Sequence, residues 1–140
     1  MTEALTLDTL GTLLTHLGRY AEATEHYQEA LVTFRETGQR DNEAGALNGL
    51  GEAAHAADRA TEALGYFTAA QAIAAEVGKR EQEARALTGL GNAYCALDRL
   101  ARAREHYQRA LALYTDLGAP QADQVRARLR SFAKLTSCEG

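Results

Sequence analysis

The sequence predicts an all-α fold: a single domain over residues 1–140, in which one pair of helices recurs three times before a closing helix. Three observations lead to this prediction. Alanine and leucine dominate and proline occurs once, at Pro120, which favours helices over strands. Residue types recur every 40 positions, as Gly11, Gly51 and Gly91 do. Each repeat also holds two segments with apolar residues at helical spacing.

The 40-residue step is kept by eight sets of positions, too many for coincidence. Besides the glycine already named, each unit repeats two leucines, an arginine, two alanines, an aromatic residue and a final glycine. The second unit shows them as Leu47, Leu50, Arg59, Ala63, Phe67, Ala70 and Gly78. The units are therefore placed at residues 4–43, 44–83 and 84–123.

The first helix of each unit is indicated by one apolar stripe. In the first unit the stripe consists of Leu7, Leu10, Leu14 and Leu17. A short turn follows at Gly18 and at its equivalents Asp58 and Asp98, residue types that tolerate a left-handed backbone. A turn this short makes the two helices of a unit antiparallel.

The second helix carries a stripe of small and large apolar residues: Ala23, Tyr27, Ala30, Leu31 and Phe34 in the first unit. It should stop at Gly38, Gly78 and Gly118, because glycine is preferred just beyond a helix C-terminus. The remaining residues predict a capping helix over about 124–136, since the end of a stack needs a cover. Its apolar stripe is Val125, Leu129, Phe132 and Ala133.

The middle unit is expected to be the weakest. It has Ala57 and Gln71 where the other units have leucines. Each lost leucine should remove about 2 kcal/mol of burial. The hypothesis is that this unit flexes and lets the stack adjust its shape.

The units resemble the tetratricopeptide repeat, whose first helix is marked by apolar residues, glycine and tyrosine, and whose second is marked by alanine, an aromatic residue and alanine. The third unit supplies Leu87, Leu90, Gly91, Tyr94, Ala103, Tyr107 and Ala110. The resemblance covers residues 4–123 and implies a right-handed α-solenoid of three helix-turn-helix units plus the capping helix. The usual step is about 34 residues. The extra residues are expected at the end of the second helix and in loops such as residues 36–43.

Phrases such as HYQEAL and ALTGLGNAY also resemble repeats of large bacterial transcriptional regulators, among them the actinobacterial antibiotic-regulatory type. That resemblance implies a regulatory or sensing segment, acting beside a DNA-binding domain and a nucleotide-binding switch domain. Neither of those domains is present in these residues. Two cysteines without a disulfide framework, and no apolar run near the ~20 residues of a membrane span, fit a cytoplasmic protein with no membrane partner.

In this family the first helices line a concave groove that binds a peptide or helix of another protein, or of another domain of the same polypeptide. The residues that project towards the groove are Asp8, Thr12, His16, Asn48, Glu52, His55, Arg85, Thr88, Asn92 and Cys95. The two asparagines can each donate to a peptide carbonyl and accept from an amide, and Arg85 can bind a carboxylate through two hydrogen bonds. The clamp of lysines and asparagines that grips C-terminal carboxylates in one version of the fold is not matched, since Asp8, Thr12 and Gly89 stand at its other positions.

Gly49 and Gly51 are one residue apart, as in some phosphate-binding loops. A dinucleotide loop needs a preceding strand and a third glycine at fixed spacing, and neither is present. Gly51 is instead expected to let two helices approach closely. Gly49, shared only with Gly89, is expected to open the floor of the groove beside Asn48.

No catalytic, cofactor or metal site is predicted. The histidines form no His-x-x-x-His or Cys-His cluster, and no repeated histidine would activate Cys95. The last third of the chain is basic, but Arg126, Arg128 and Arg130 alternate and spread around a helix instead of forming one stripe. Neither enzyme activity nor direct nucleic-acid binding is expected.

The two ends of the chain carry opposite charge. Residues 1–43 hold eight acids and three bases, whereas residues 124–140 hold one acid and four bases. This asymmetry favours an alternative function, self-association, in which the basic end of one copy meets the acidic front of another.

Overall fold

The computed structural model describes the backbone of residues 2–139 and the side chains of residues 9–132. Within that range the chain forms seven helices and no strand, which confirms the all-α helical-repeat prediction. The helices are α1 (Thr2–His16), α2 (Tyr20–Glu36), α3 (Arg40–Ala56), α4 (Ala60–Val77), α5 (Arg80–Ala96), α6 (Leu100–Leu117) and α7 (Gln121–Glu139). We refer to α1 with α2, α3 with α4, and α5 with α6 as the first, middle and third helix pairs.

The predicted turn residues adopt the left-handed conformation. Asp58 and Asp98, which follow α3 and α5, both have a φ of 62°, a value that L side chains rarely take. Gly78 and Gly118 end α4 and α6 with φ of 73° and 65°. The helix ends are therefore set locally, by the residue types that tolerate this backbone.

Of the two places expected for the extra residues, the loops are wrong, whereas the second helix agrees with the lengths of α2, α4 and α6, which are 17, 18 and 18 residues. Residues 37–39 alone separate α2 from α3, and residues 78–79 alone separate α4 from α5. The added residues lengthen the helices, which reach 17 residues in α3 and 18 in α4. Because α3 and α5 begin at Arg40 and Arg80, the unit boundaries drawn before residues 44 and 84 fall inside the first turn of each helix.

One aromatic ring from each of α2 and α4 packs between two glycines. Phe67 of α4 is 1% exposed, and a Cβ added to Gly51 of α3 would lie 2.7 Å from its ring. A Cβ added to Gly89 of α5 would collide with the same Phe67 ring. The missing side chains are thus what lets α3 and α5 both reach the ring, since buried aromatic rings cannot yield that much space.

Tyr27 of α2 repeats this arrangement between Gly11 of α1 and Gly49 of α3. The packing role predicted for Gly51 is confirmed, but the role predicted for Gly49 is wrong. Gly49 is buried against the ring of Tyr27 in the preceding pair, so it joins two pairs and does not open a groove.

The helix α7 covers the end of the stack. Val125 and Phe132 are buried, and the ring of Phe132 lies 5.7 Å from that of Tyr107 on α6. Tyr107 therefore meets Gly91 of its own pair on one side and a second aromatic ring on the other.

The middle pair loses less than its missing leucines indicate. Of the two counterparts of Ala57, Leu17 is 62% exposed and Leu97 is half-buried, so the alanine removes no fully buried leucine. The amide of Gln71 donates a hydrogen bond of 3.1 Å to Glu83 of α5, which replaces apolar contact by a polar one. The hypothesis of a weak, flexing middle unit loses much of its basis.

Candidate functional site

A groove of about 820 Å³ is lined mainly by α5, the end of α6 and the start of α7, with one residue each from α1 and α3. Five of the predicted site residues line it: His16, Glu52, Arg85, Thr88 and Asn92. They come from three first helices, which the stacking brings side by side. The groove is polar, as expected of a surface that binds a peptide backbone.

An ion pair lies in the lining of this groove. Arg85 of α5 donates two hydrogen bonds to the Glu52 carboxylate of α3, from Nε over 2.8 Å and from Nη2 over 2.5 Å. The two side chains are 30% and 40% exposed, so the pair stabilises the fold by at most about 1 kcal/mol. A partner's carboxylate would compete with Glu52 for Arg85, and a partner's cation would compete with Arg85 for Glu52.

The neighbouring pairs use the position equivalent to Glu52 differently. In the first pair, the hydroxyl groups of Thr12 and Tyr27 lie 2.6 Å apart in a hydrogen bond. In the third pair, the hydroxyl of Tyr107 donates to Oδ1 of Asn92 over 2.5 Å. In both pairs, a side chain of the first helix forms a hydrogen bond with the buried tyrosine of the second helix.

The middle pair has Phe67 at the tyrosine position. A phenylalanine ring has no hydroxyl group, so Glu52 has no such partner within its pair and reaches Arg85 on the next first helix. The ion pair of the groove therefore accompanies three differences between the repeats: Phe67 in place of tyrosine, Glu52 in place of Thr12 and Asn92, and Arg85 in place of Gly45.

Asn48 is not exposed in the groove, which corrects its prediction as a peptide-binding residue. Its side chain is 0% exposed, and its amide nitrogen donates to the backbone oxygen of Gln82 over 3.1 Å and to its side-chain oxygen over 3.0 Å. Asn48 is a link between α3 and α5, covered by Gln82, which itself lines the groove.

Three further predicted residues are also not part of this lining: Thr12, His55 and Cys95. Thr12 is half-buried and bonded to Tyr27, Cys95 is exposed, and the side chain of Asp8 falls outside the described residues. His55 lines a separate depression with Asp58 and neighbouring residues of the α3–α4 turn. Thr12, Cys95 and His55 are therefore not part of the groove lining, while the prediction for Asp8 stays a prediction.

The fold perturbs the titration of His55. Burial lowers the pKa of His55, and the positive charge of Arg128 on α7 lowers it further, while Asp58 opposes both. Its Nδ1 atom is buried without a hydrogen-bond partner among the described residues. The neutral form is therefore favoured in the folded chain.

The sequence prediction missed several residues of the groove. Glu81 and Gln82 belong to the first turn of α5, which had been assigned to the end of the preceding unit. Tyr114 comes from α6, although the groove was expected to use first helices alone. Burial raises the pKa of Tyr114, while a hydrogen bond with Thr88 and the positive charge of Arg85 lower it. The hydroxyl group of Tyr114 therefore lies close to two of the predicted groove residues. The sequence does contain a signal for the start of α5: Gly78 marks the end of the preceding helix, so the residues that follow it belong to α5.

Two absences apply to the described part of the chain. It contains no cluster of three or more histidine, cysteine or acidic side chains that could hold a metal ion. None of its helices combines the length and apolar character needed to cross a membrane.

Comparisons with known proteins agree with this geometry. The model of a family described as tetratricopeptide repeat matches residues 2–59 and 42–116. A search of curated proteins found no match. Among solved structures, the TPR domain of Arabidopsis FLU is similar with a TM-score of 0.69 and 23% identity, over 79% of this chain and 93% of that one.

Two longer structures are similar as well. The putative kinesin light chain repeats of Podosopora anserina have a TM-score of 0.74 and 18% identity, over 89% of this chain and 62% of that one. BtubC from P. vanneervenii has a TM-score of 0.75 and 24% identity, over 93% of this chain and 56% of that one. At such identities the likeness shows the fold alone. Since the family model spans well over half of the residues and the helical stack agrees with it, the chain belongs to the tetratricopeptide repeat family.

Proposed function

We propose that the groove binds an extended or helical segment of another protein, or of another domain of the same polypeptide. The chain would then be a non-enzymatic interaction module. The observation that supports this proposal is the assembly of His16, Glu52, Arg85, Thr88 and Asn92, from three helices, in one groove. Repeat proteins of this kind use such extended surfaces to bind partners.

The chemistry of the groove favours a segment that carries both polar main chain and charge. Gln82 and Asn92 can pair with peptide amides, while the Glu52–Arg85 pair can exchange one member for a partner's charge. Exchange costs little because both side chains are already partly hydrated, so binding can be reversible.

The test compares one substitution at two sites. Thr88 is half-buried in the groove, and Thr68 is exposed on α4 away from it. Peptides selected from a random display library against the unmodified chain would be measured by fluorescence anisotropy. We expect Thr88→Arg to weaken their binding at least about tenfold, or about 1.4 kcal/mol, because the arginine fills the groove. Thr68→Arg should leave the affinity unchanged.

Peptides that bind Thr88→Arg and the unmodified chain equally would place the binding surface elsewhere. Equal loss in both variants would point to damaged folding, which far-ultraviolet circular dichroism detects. Retained helicity with selective loss in Thr88→Arg supports the groove.

We further propose that this segment is the regulatory or sensing arm of a larger cytoplasmic transcriptional regulator of bacterial origin. The support is the 40-residue step and the phrases around Tyr27 and Gly91. The reading frame around these residues is the direct test. Coding sequence for a DNA-binding domain in the same frame is expected, and a frame without one would contradict the proposal.

Self-association is the second candidate. Leu13 of α1 and Leu17, the residue that follows α1, are 54% and 62% exposed, which leaves apolar surface at the acidic end of the stack. The opposite end carries Arg126 and Arg130, which are exposed on α7. A second copy could therefore place its basic end on the acidic front of the first.

Light scattering across protein and salt concentrations tests this candidate. Association that weakens with salt and is abolished by Leu13→Gln with Leu17→Gln is expected, because salt screens exposed charges. A monomer at every concentration and ionic strength would exclude the candidate, and leave the groove proposal unaffected.

A further inference from the structure

A second cleft, of about 240 Å³, lies between α2, α3 and α4. None of its lining residues lines the groove. Its α3 side is formed by one leucine and three alanines: Leu50, Ala53, Ala54 and Ala57. Aromatic and charged residues complete it: Tyr20, Tyr66, Arg59 and Glu62. The cleft thus combines an apolar floor with a polar margin, at a place distinct from the groove.

The third helix pair shows what fills this place when it is closed. Tyr94 and Leu97 stand 40 residues beyond Ala54 and Ala57, at the equivalent positions of α5. Tyr94 is partly buried and packs against the core. The middle pair has the methyl group of Ala54 where the third pair has the ring of Tyr94, and the cleft lies at this place.

The contacts of Tyr94 show which chemistry the place accepts. Its ring centroid lies 5.2 Å from that of His106, and the guanidinium carbon of Arg102 lies 5.8 Å from it. The residues equivalent to His106 and Arg102 in the middle pair are Tyr66 and Glu62, both of which line the cleft. An aromatic neighbour for an incoming ring is therefore retained, while the charge beside it is reversed.

We propose that this cleft is a docking socket for an aromatic side chain, a tyrosine or phenylalanine, presented by a partner polypeptide. A cavity of about 150 Å³ in another protein holds benzene, so about 240 Å³ admits a phenol ring. Such a ring would take the place that Tyr94 takes in the third pair. The margin formed by Arg59 and Glu62, whose charged atoms lie 3.9 Å apart, offers a donor and an acceptor to a tyrosine hydroxyl.

The socket should prefer aromatic over aliphatic side chains. A ring beside Tyr66 gains an aromatic contact that a leucine side chain cannot make, in addition to the apolar area that both bury. This contact corresponds to a preference of about two- to tenfold. This preference for aromatic side chains distinguishes a socket shaped for a ring from a nonspecific apolar surface.

The first experiment titrates the intact chain with N-acetyl-tyrosinamide and, separately, N-acetyl-leucinamide. The methyl NMR signals of Ala53, Ala54 and Ala57 report the socket. We expect these signals to shift with the tyrosine compound, and to shift at two- to tenfold higher concentration with the leucine compound. No shift, or an equal response to both compounds, would overturn the proposal.

The second experiment exchanges residues between the repeats. Ala54→Tyr with Ala57→Leu installs the side chains of the third pair and should abolish the shifts of Ala53 without loss of helicity. Tyr94→Ala opens the equivalent place on α5 and should add a second set of shifts at Ala93. Ala57→Leu alone, a smaller change, should weaken the response if the double variant does not fold.

Persistence of the Ala53 shifts in a folded, filled variant would overturn the socket. So would the absence of new shifts at Ala93 in the Tyr94→Ala chain, because the same geometry would then fail to bind a ring. The socket and the groove share no lining residue. The result of the Thr88→Arg test of the groove is therefore independent of the result of the socket experiments.

Discussion

The glycine at position 49 allows a sharp test of how the helix pairs join. Gly49→Ala adds one methyl group to a buried helix position, where it would collide with the ring of Tyr27. That ring has little room to move away, because its other edge packs closely against Gly11, where an added Cβ would lie 2.9 Å from the ring. Alanine is favoured over glycine within a helix by about 1 kcal/mol. Overpacking of a filled core costs about 1–3 kcal/mol, and more where no side chain can yield.

The collision at Gly49 is the tightest of all the glycine contacts that the structure describes, so the upper part of that range applies. After the gain in helix propensity is subtracted, we expect Gly49→Ala to lower the free energy of unfolding by about 1–2 kcal/mol. The matched control is Gly65→Ala on α4. Gly65 is exposed, and a Cβ there would have nothing within 4 Å. The same substitution should therefore raise the free energy of unfolding by about 0.5–1 kcal/mol.

Urea denaturation followed by circular dichroism measures both variants. The reasoning predicts opposite signs for one chemical change in two helices. It is refuted if Gly49→Ala is as stable as the parent chain. Tyr27→Leu supplies a further check: in the Gly49→Ala background its cost should be smaller than in the parent, because the smaller side chain relieves the collision.

Three further outcomes are expected. Asn48→Ala should lower stability by about 1–3 kcal/mol through loss of the bonds to Gln82 and yet leave peptide affinity unchanged, as equilibrium unfolding and anisotropy would show. Tyr107→Phe removes the hydrogen bond to Asn92 and should cost about 0.5–1.5 kcal/mol in the same unfolding assay, whereas no loss would mean that the bond is not formed in solution. The folded-state pKa of His55 is lowered, so the unfolded chain takes up the proton first and stability should fall as the pH drops below about 6.5. His55→Gln should flatten this pH dependence between pH 7.5 and 5.5 when urea midpoints are compared, and an unchanged slope would contradict the assignment.

The helix ends could be predicted from the sequence because they depend on local backbone chemistry. A residue that tolerates positive φ ends a helix wherever the chain carries it, as at Gly78 and Asp58. The packing role of Gly51 was also predictable, because Gly51 contacts the ring of Phe67 within the same helix pair, and such a contact recurs with each repeat.

The groove could be predicted in outline but not residue by residue. Asn48 and Glu52 both look like polar residues on the outer face of α3, yet one is buried and the other lines the groove. The difference arises from α5, since Gln82 covers Asn48 while Arg85 extends towards Glu52. Such contacts between residues 33 or 34 positions apart depend on how successive pairs rotate, which helical periodicity does not encode.

The enclosure of α3 explains the remaining errors. Every residue of α3 from Glu43 to Gly51 is buried, so this part of the helix has no solvated face. Amphipathic reasoning assigns one outer face to each helix, and it fails for a helix with neighbours on all sides. Gly49 was assigned to the groove for this reason, although it contacts Tyr27.

The wedged rings have a consequence for how such a chain can grow. Gly49 receives the ring of Tyr27, and Gly89 receives that of Phe67, by the same contact. If the segment of residues 40–79 were duplicated in tandem, the Phe67 of the first copy would meet the Gly49 of the second. At this contact, the new joint differs from that of Tyr27 with Gly49 by a single hydroxyl group. Each new copy would leave the packing of α7 on α6 unchanged. The chain could therefore lengthen by whole repeats while keeping the contact between an aromatic ring and a glycine at every joint.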